Sequence, residues 1–140
     1  MVLTFEMLRK EDISQLKEIL EEYMVSSQQV EIFMSEKQNI AIVAKLNDKV
    51  IGFVYGYSLT RLDAKLPQFF IYSVDIHLAY QDRGYGSQFM RHVIDWARNN
   101  GFSESFVLTH KDNPRACKVY EKVGMIHSEN DCDRMYEVQL

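Results

Sequence analysis

The chain has 140 residues, of which 46% are hydrophobic and 12% aromatic, and it carries a formal net charge of −4. That is apolar material for one core and too little chain for two, so a single domain over residues 1–140 is expected. An acidic balance without a basic run excludes sequence-independent nucleic-acid binding, which needs a concentrated cationic face to displace counterions.

No stretch is long and apolar enough to span a bilayer, and Met1 to Arg9 lacks a charged segment leading into a long apolar run. The expectation is a cytoplasmic protein with no membrane partner. Cys117 and Cys132 lack C-x-x-C or other metal-ligand spacing, so they are expected to be reduced and structural, with no metal bound.

In chain order, Val2 to Leu8 alternates like a half-buried strand, and Asp12 can cap a helix carrying Ile13, Leu16, Ile19, Leu20 and Tyr23 at a 3.6 period. Ser26 or Ser27 can cap a short second helix bearing Val30, Phe33 and Met34. Ile40 to Leu46 and Val50 to Leu59 are β-rich runs joined by Asn47-Asp48-Lys49, a hairpin composition, and Gly52 and Gly56 suggest bends or close backbone approach.

Thr60 to Pro67 reads as a loop and Phe69 to Ile76 as a fourth strand. A third helix is expected over Ser87 to Asn99, with Asn100-Gly101 as its stop, then a strand over Ser105 to Thr109. Pro114 opens a fourth helix that Gly124 closes, and strands near Met125 to Ser128 and Arg134 to Leu140 finish the order. The sum is an α/β (α+β) domain with a mixed, mostly antiparallel sheet of about seven strands flanked by four helices.

The strongest signal is Gln81-Asp82-Arg83-Gly84-Tyr85-Gly86-Ser87, which lies between the fourth strand and the third helix. A strand that stops, turns through two glycines and opens a helix aims backbone N–H groups and the helix dipole at one spot, a place for phosphate. A second motif follows thirty residues on. Asn113, Ala116, Val119 and Tyr120 fall at helical spacing ahead of Gly124-Met125.

Together these motifs resemble the GNAT superfamily of acetyl-CoA-dependent N-acetyltransferases. That family carries Gln/Arg-x-x-Gly-x-Gly/Ala, matched by Gln81, Gly84 and Gly86, and Asn-x-x-Ala-x-x-(apolar)-Tyr-x-x-x-Gly, matched by Asn113, Ala116, Val119, Tyr120 and Gly124. The resemblance implies acetyl-CoA as co-substrate. The backbone of Asp82, Arg83, Gly84, Tyr85, Gly86 and Ser87, with Gln81, would hold its pyrophosphate; main chain at Val74 and Ile76, with Asn113 and Ala116, would hold its pantetheine arm. It also implies an oxyanion stabilised at the Ile76 N–H, and Tyr120 as the acid that protonates the leaving thiolate.

The base is not given by the resemblance. Positions on strand four where family members often place a carboxylate are here Phe70 and Ser73. Asp75, on the face of Ser73 by the period of two, is the first candidate base or cation anchor; His77 is the second, and bulk water the third. Acetylation of Cys117 and relay from it is a further route, without an adjacent base.

The expected acceptor is a primary amine of a small molecule or peptide. Glu31, Asp63 and Asp75 are candidates to receive a cation, and Tyr55 to Asp75 is faintly similar to aminoglycoside N-acetyltransferases. Arg134 to Leu140 could pair across a homodimer. A Rossmann site would need a third glycine where Phe89 stands, and a P-loop would need Gly-Lys-Ser/Thr, so both fail on residues. The rival is an acyl-CoA-binding sensor or interaction module of the same fold without turnover.

Overall fold

A computed structural model describes residues 2–20, 26–127 and 135–140. Five strands form one sheet in the order β1-β2-β3-β4-β5: Leu3–Met7, Asn39–Leu46, Lys49–Leu59, Gln68–Ile76 and Glu104–Val107. The first four run antiparallel; β4 and β5 are parallel, as a crossover through a helix requires. The helices are α1 Ile13–Leu20, α2 Ser27–Ser35, α3 Tyr85–Asn99 and α4 Pro114–Lys122.

Two cores cover the two sheet faces. On one, Ile42, Ile51, Val54, Phe69 and Ile71 pack with Phe89, Met90 and Val93 of α3. On the other, Val43, Val50 and Phe53 pack with Leu16 and Leu20 of α1, and Val30, Phe33 and Met34 of α2 close over them. Phe69 and Phe89 are fully buried, and a phenylalanine side chain removed from water contributes about 1.5–3 kcal/mol.

Asn47 and Asp48 alone form the β2–β3 turn, with φ of 50° and 68°, because Leu46 pairs directly with Lys49. Both central residues at positive φ match the twist of an antiparallel ribbon. Ser26 caps α2 by accepting from the Gln29 N–H at 3.0 Å. Asp12 closes a 3-10 turn, Lys10–Asp12, that runs directly into α1, and its side chain bonds back to Arg9 instead of capping α1. Its carboxylate takes the Arg9 N–H at 3.0 Å and pairs at 2.8 Å with Lys45, a lysine buried within β2 that also meets Glu6.

The sheet has five described strands, fewer than the seven expected. Met125 to His127 and Met135 to Leu140 are not strands, and Met135, Tyr136, Val138 and Leu140 are exposed. Alternation makes a segment fit for pairing, but a strand also needs an edge to pair with, which local sequence does not specify. Ser128, Arg134, Tyr23 and Cys132 lie outside the described residues. Two expected boundaries also move: α3 begins at Tyr85, two residues before Ser87, and β5 covers Glu104–Val107 instead of Ser105 to Thr109.

One irregularity positions the rest. Tyr55 pairs with Ser73 but Gly56 with Ile71, so Tyr72 is an extra residue in β4. The side-chain phase inverts there. Phe69 and Ile71 face α3 before the bulge, and Val74 and Ile76 face it afterwards. Ser73 and Asp75 therefore join Phe70 on the α1/α2 side, although unbroken alternation puts them with Phe69.

Gly56 permits this: a Cβ there would stand 2.0 Å from the Phe70 carbonyl oxygen and 3.0 Å from the Ile71 Cα. Gly56→Ala is expected to lower unfolding free energy by about 3 kcal/mol in a denaturant titration. Gly84→Ala, with φ of +82° but nothing within 4 Å, should cost only about 1 kcal/mol.

Candidate active site

β5 pairs with β4 only from Gln68 to Ile71, because β5 ends at Val107, the partner of Ile71. The outer edge of β4 from Tyr72 to Ile76 thus has no neighbouring strand. The His77 N–H donates to the Ile51 carbonyl at 2.8 Å, across the β3–β4 pair. Ile76 consequently points its N–H and C=O the other way, and the Gln81 amide donates to that carbonyl at 2.9 Å. By the same alternation the Val74 N–H faces the gap.

A cleft of about 1160 Å³ opens along this edge, between β4, the glycine turn and α4. Of the twelve residues expected around the coenzyme, ten line it: Val74, Ile76, Gln81, Asp82, Gly84, Gly86, Ser87, Asn113, Ala116 and Tyr120. The other two are not part of its lining. Arg83 lies over the Tyr80 ring at 5.9 Å, and Tyr85 packs against the α3 core.

The turn is built for close approach. Asp82 and Gly84 hold φ of 61° and 82°, and Gly84 is the N-cap of α3 without a side-chain bond to the first turn. The first helical bond runs from the Gln88 N–H to the Gly84 carbonyl, so the N–H groups of Tyr85, Gly86 and Ser87 belong to the unpaired first turn. At Gly86 the nearest atoms to a Cβ are Val119 Cγ2 at 3.6 Å and Ile76 Cγ1 at 3.9 Å. The cradle floor is therefore apolar side chain, and its donors are main chain.

α4 forms the opposite wall. Asn113 caps it, its carboxamide oxygen accepting from the Ala116 N–H at 3.3 Å. Arg115 reaches across to Gln81 and, at 3.2 Å, to Asp82, tying α4 to the glycine turn. Lys118 and Lys122 line the cleft beside it, an electropositive border that suits phosphate. Lys111 faces a groove on the other side of α4, as does Cys117, a free thiol whose Sγ is 3.9 Å from the His110 carbonyl.

Asp75 and Tyr120 meet in the cleft. Partial burial raises the Asp75 pKa above the ordinary carboxylate value, against the Ser73 hydroxyl, which donates to Asp75 Oδ2 at 2.5 Å. Burial chiefly, and then the neighbouring Asp75 and Cys117, raise the Tyr120 phenol pKa as well. Asp75 reaches the cleft from β4 and Tyr120 from α4. His77 is not part of the cleft lining; its Nδ1 accepts the Ala79 N–H at 3.1 Å and caps the 3-10 turn Leu78–Tyr80.

Glu31 and Asp63 do not join Asp75. Glu31 lies 3.4 Å from Lys10, and Asp63 pairs with Arg61 at 2.8 Å. Glu18 and Ile19 of α1, Leu78, Tyr80 and Lys122 line the cleft without having been singled out in the sequence. Lys122 alone carried a signal, one helical turn beyond Lys118. No group of three or more His, Cys, Asp or Glu side chains among the described residues is placed to hold a metal ion. No helix among them is long and apolar enough to cross a membrane.

A parallel strand pair that ends at Ile71, a glycine turn and the first turn of α3 frame this cleft, and comparison with known proteins identifies the fold that carries them. The Acetyltransferase (GNAT) family model matches residues 5–125, and the chain belongs to that family. No curated protein matches it.

Among solved structures, it resembles an aminoglycoside acetyltransferase from an uncultured soil metagenomic sample, solved with sisomicin, at 18% identity and a TM-score of 0.82, covering 98% of this chain and 97% of that one. It also resembles the ribosomal-protein-alanine N-acetyltransferase of Brucella melitensis biovar Abortus 2308 at 15% identity, full coverage of both chains and a TM-score of 0.83. A further aminoglycoside N-acetyltransferase, solved with CoA, matches at 16% identity over 99% and 96% of the chains with a TM-score of 0.79. At these identities the likeness establishes the fold.

Burial makes charge on Asp75 more costly in the folded chain than in the unfolded one. A carboxyl whose folded pKa is raised favours folding most below its unfolded pKa, and that advantage is lost as pH rises through the folded value. Asp75→Asn keeps an acceptor for Ser73 without the charge. It should therefore raise Tm by roughly 2 °C near pH 7, with the gain shrinking toward pH 4, in thermal scans across pH.

Proposed function

We propose that this chain transfers an acetyl group from acetyl-CoA directly to a primary amine of a small molecule or peptide, within a ternary complex. The observation that carries this reading is that Asp75 and Tyr120 line one cleft, beside the unpaired edge of β4 and the start of α3, which has no side-chain cap. The residues fit the coenzyme: main-chain donors and an electropositive border suit a diphosphate, and the outward Val74 and Ile76 amides suit a pantetheine arm. The coenzyme supplies the activated acyl group; the chain supplies position and proton control.

An acceptor amine with a pKa of about 10 must be deprotonated before it attacks. Asp75, lifted above the ordinary carboxylate range, takes that proton directly or through water, or anchors the cation until it departs. The outward Ile76 N–H donates to the acyl oxygen as charge grows there. Tyr120, kept protonated by burial, donates to the leaving sulfur. Cys117 faces away from the cleft lining, which supports direct transfer over a covalent relay. The sensor alternative lacks a use for an acid and a raised carboxylate placed side by side.

Tyr120→Phe is expected to lower kcat about 100-fold while calorimetric affinity for CoA stays unchanged; an unaltered rate removes its role. The acid limb of kcat/KM should lie above the pH of an ordinary carboxylate, because activity needs Asp75 ionised and its pKa is raised, and Asp75→Asn should abolish that limb. Gly86→Val, which fills the cradle, should weaken CoA binding more than about tenfold with the fold intact by circular dichroism. Coenzyme binding without turnover on any amine would favour the sensor.

A further inference from the structure

Resting on the transferase reading, we infer the class of the acceptor: a monoamine joined by a short spacer to a flat apolar ring, which packs on Tyr72 while the amine meets Asp75. The bulge that brings Asp75 to the α1/α2 side also pushes Tyr72 outward on it, leaving the residue 57% exposed.

Tyr72 is not isolated. Its ring centroid is 5.5 Å from Tyr55, 5.9 Å from Tyr57 and 5.8 Å from Phe70, and Phe33 of α2 stands edge-on to Tyr55 and Tyr57 at 5.4 and 5.8 Å. An aromatic cluster with one ring standing in solvent presents a π-face and nearby edges to a planar ligand. Ser73, beside Tyr72, pairs with Tyr55 and hydrogen-bonds Asp75, and Asp75 is near enough to Tyr55 to act on it electrostatically.

Three residues of extended strand span about 10 Å at most, so ring and ammonium must be separated by a spacer of about two or three carbons. Charge argues the same way. A polycation needs several free carboxylates, whereas among the described residues Glu31 and Asp63 are already paired, Glu104 meets Arg61 at 3.3 Å and Glu18 lies 3.8 Å from Lys49. A single ammonium needs only Asp75. The aromatic faces also favour a cation that is partly desolvated near them.

The test follows free CoA thiol at saturating acetyl-CoA with 2-phenylethylamine, propylamine, spermidine and sisomicin as acceptors. The expected result is a kcat/KM for 2-phenylethylamine at least about tenfold above the other three. Tyr72→Ala should erase that preference through KM, leave propylamine unchanged and leave CoA affinity unchanged, and Tyr72→Phe should retain it. The exposure of Tyr72 keeps the fold out of the comparison.

A preference for spermidine or sisomicin, or an equal loss on all amines with Tyr72→Ala, overturns the inference. Where no amine turns over, titration of 2-phenylethylamine into the CoA complex separates the two readings. Heat that Tyr72→Ala abolishes supports the ring site and removes the transferase; no heat overturns the ring site.

Discussion

Only a residue without a Cβ lets β3 and β4 approach as they do at Gly56, where the Phe70 carbonyl oxygen occupies the space a side chain would need. That approach accommodates the extra residue in β4, and the extra residue inverts the strand's phase. Val74 and Ile76 then seal the α3 core, while Ser73 and Asp75 turn to the α1/α2 face. β5 stops pairing at Ile71, just before the bulge. One local distortion thus accounts for a wedge between strands, outward amides on its wall and a carboxyl beside it.

The wedge allows the two sheet faces to communicate. Tyr120 belongs to the α4 side and Asp75 to the α1/α2 side, and in a fully paired sheet a strand's width would separate them. Through the gap they interact, each partly buried, so that the carboxyl is more basic and the phenol less acidic than in water. Burial thus makes the carboxyl a stronger proton acceptor and keeps the phenol protonated. It costs stability, since a buried carboxylate is held against its solvation. The Arg115 bridge joins α4 to Gln81 and Asp82 at the mouth of the wedge.

Much of this architecture was legible in the chain. The element order, the hairpin at Asn47-Asp48, the glycine turn and the Asn113-capped helix all rest on local rules of periodicity, caps and φ preferences, and the structure follows them with shifts of a residue or two at α3 and β5. Where such rules fall silent, the reading failed. Met125 to His127 and Met135 to Leu140 are not strands, because pairing is a property of two segments and a segment's own residues do not supply its partner. Glu31 and Asp63 were plausible cation receivers until Lys10 and Arg61 claimed them.

The sequence by itself determined the family, the glycine turn and the capped helix beside it, because these are written in short spacings whose physics is local: two glycines at the start of a helix, an asparagine cap, a tyrosine on the next helix. Tertiary structure alone decided which way Asp75 and Tyr72 face and that Asp75 meets Tyr120. A bulge is a relation between two strands, fixed by Gly56 on one accepting the backbone of the other, and the alternation along β4 gives no sign of it.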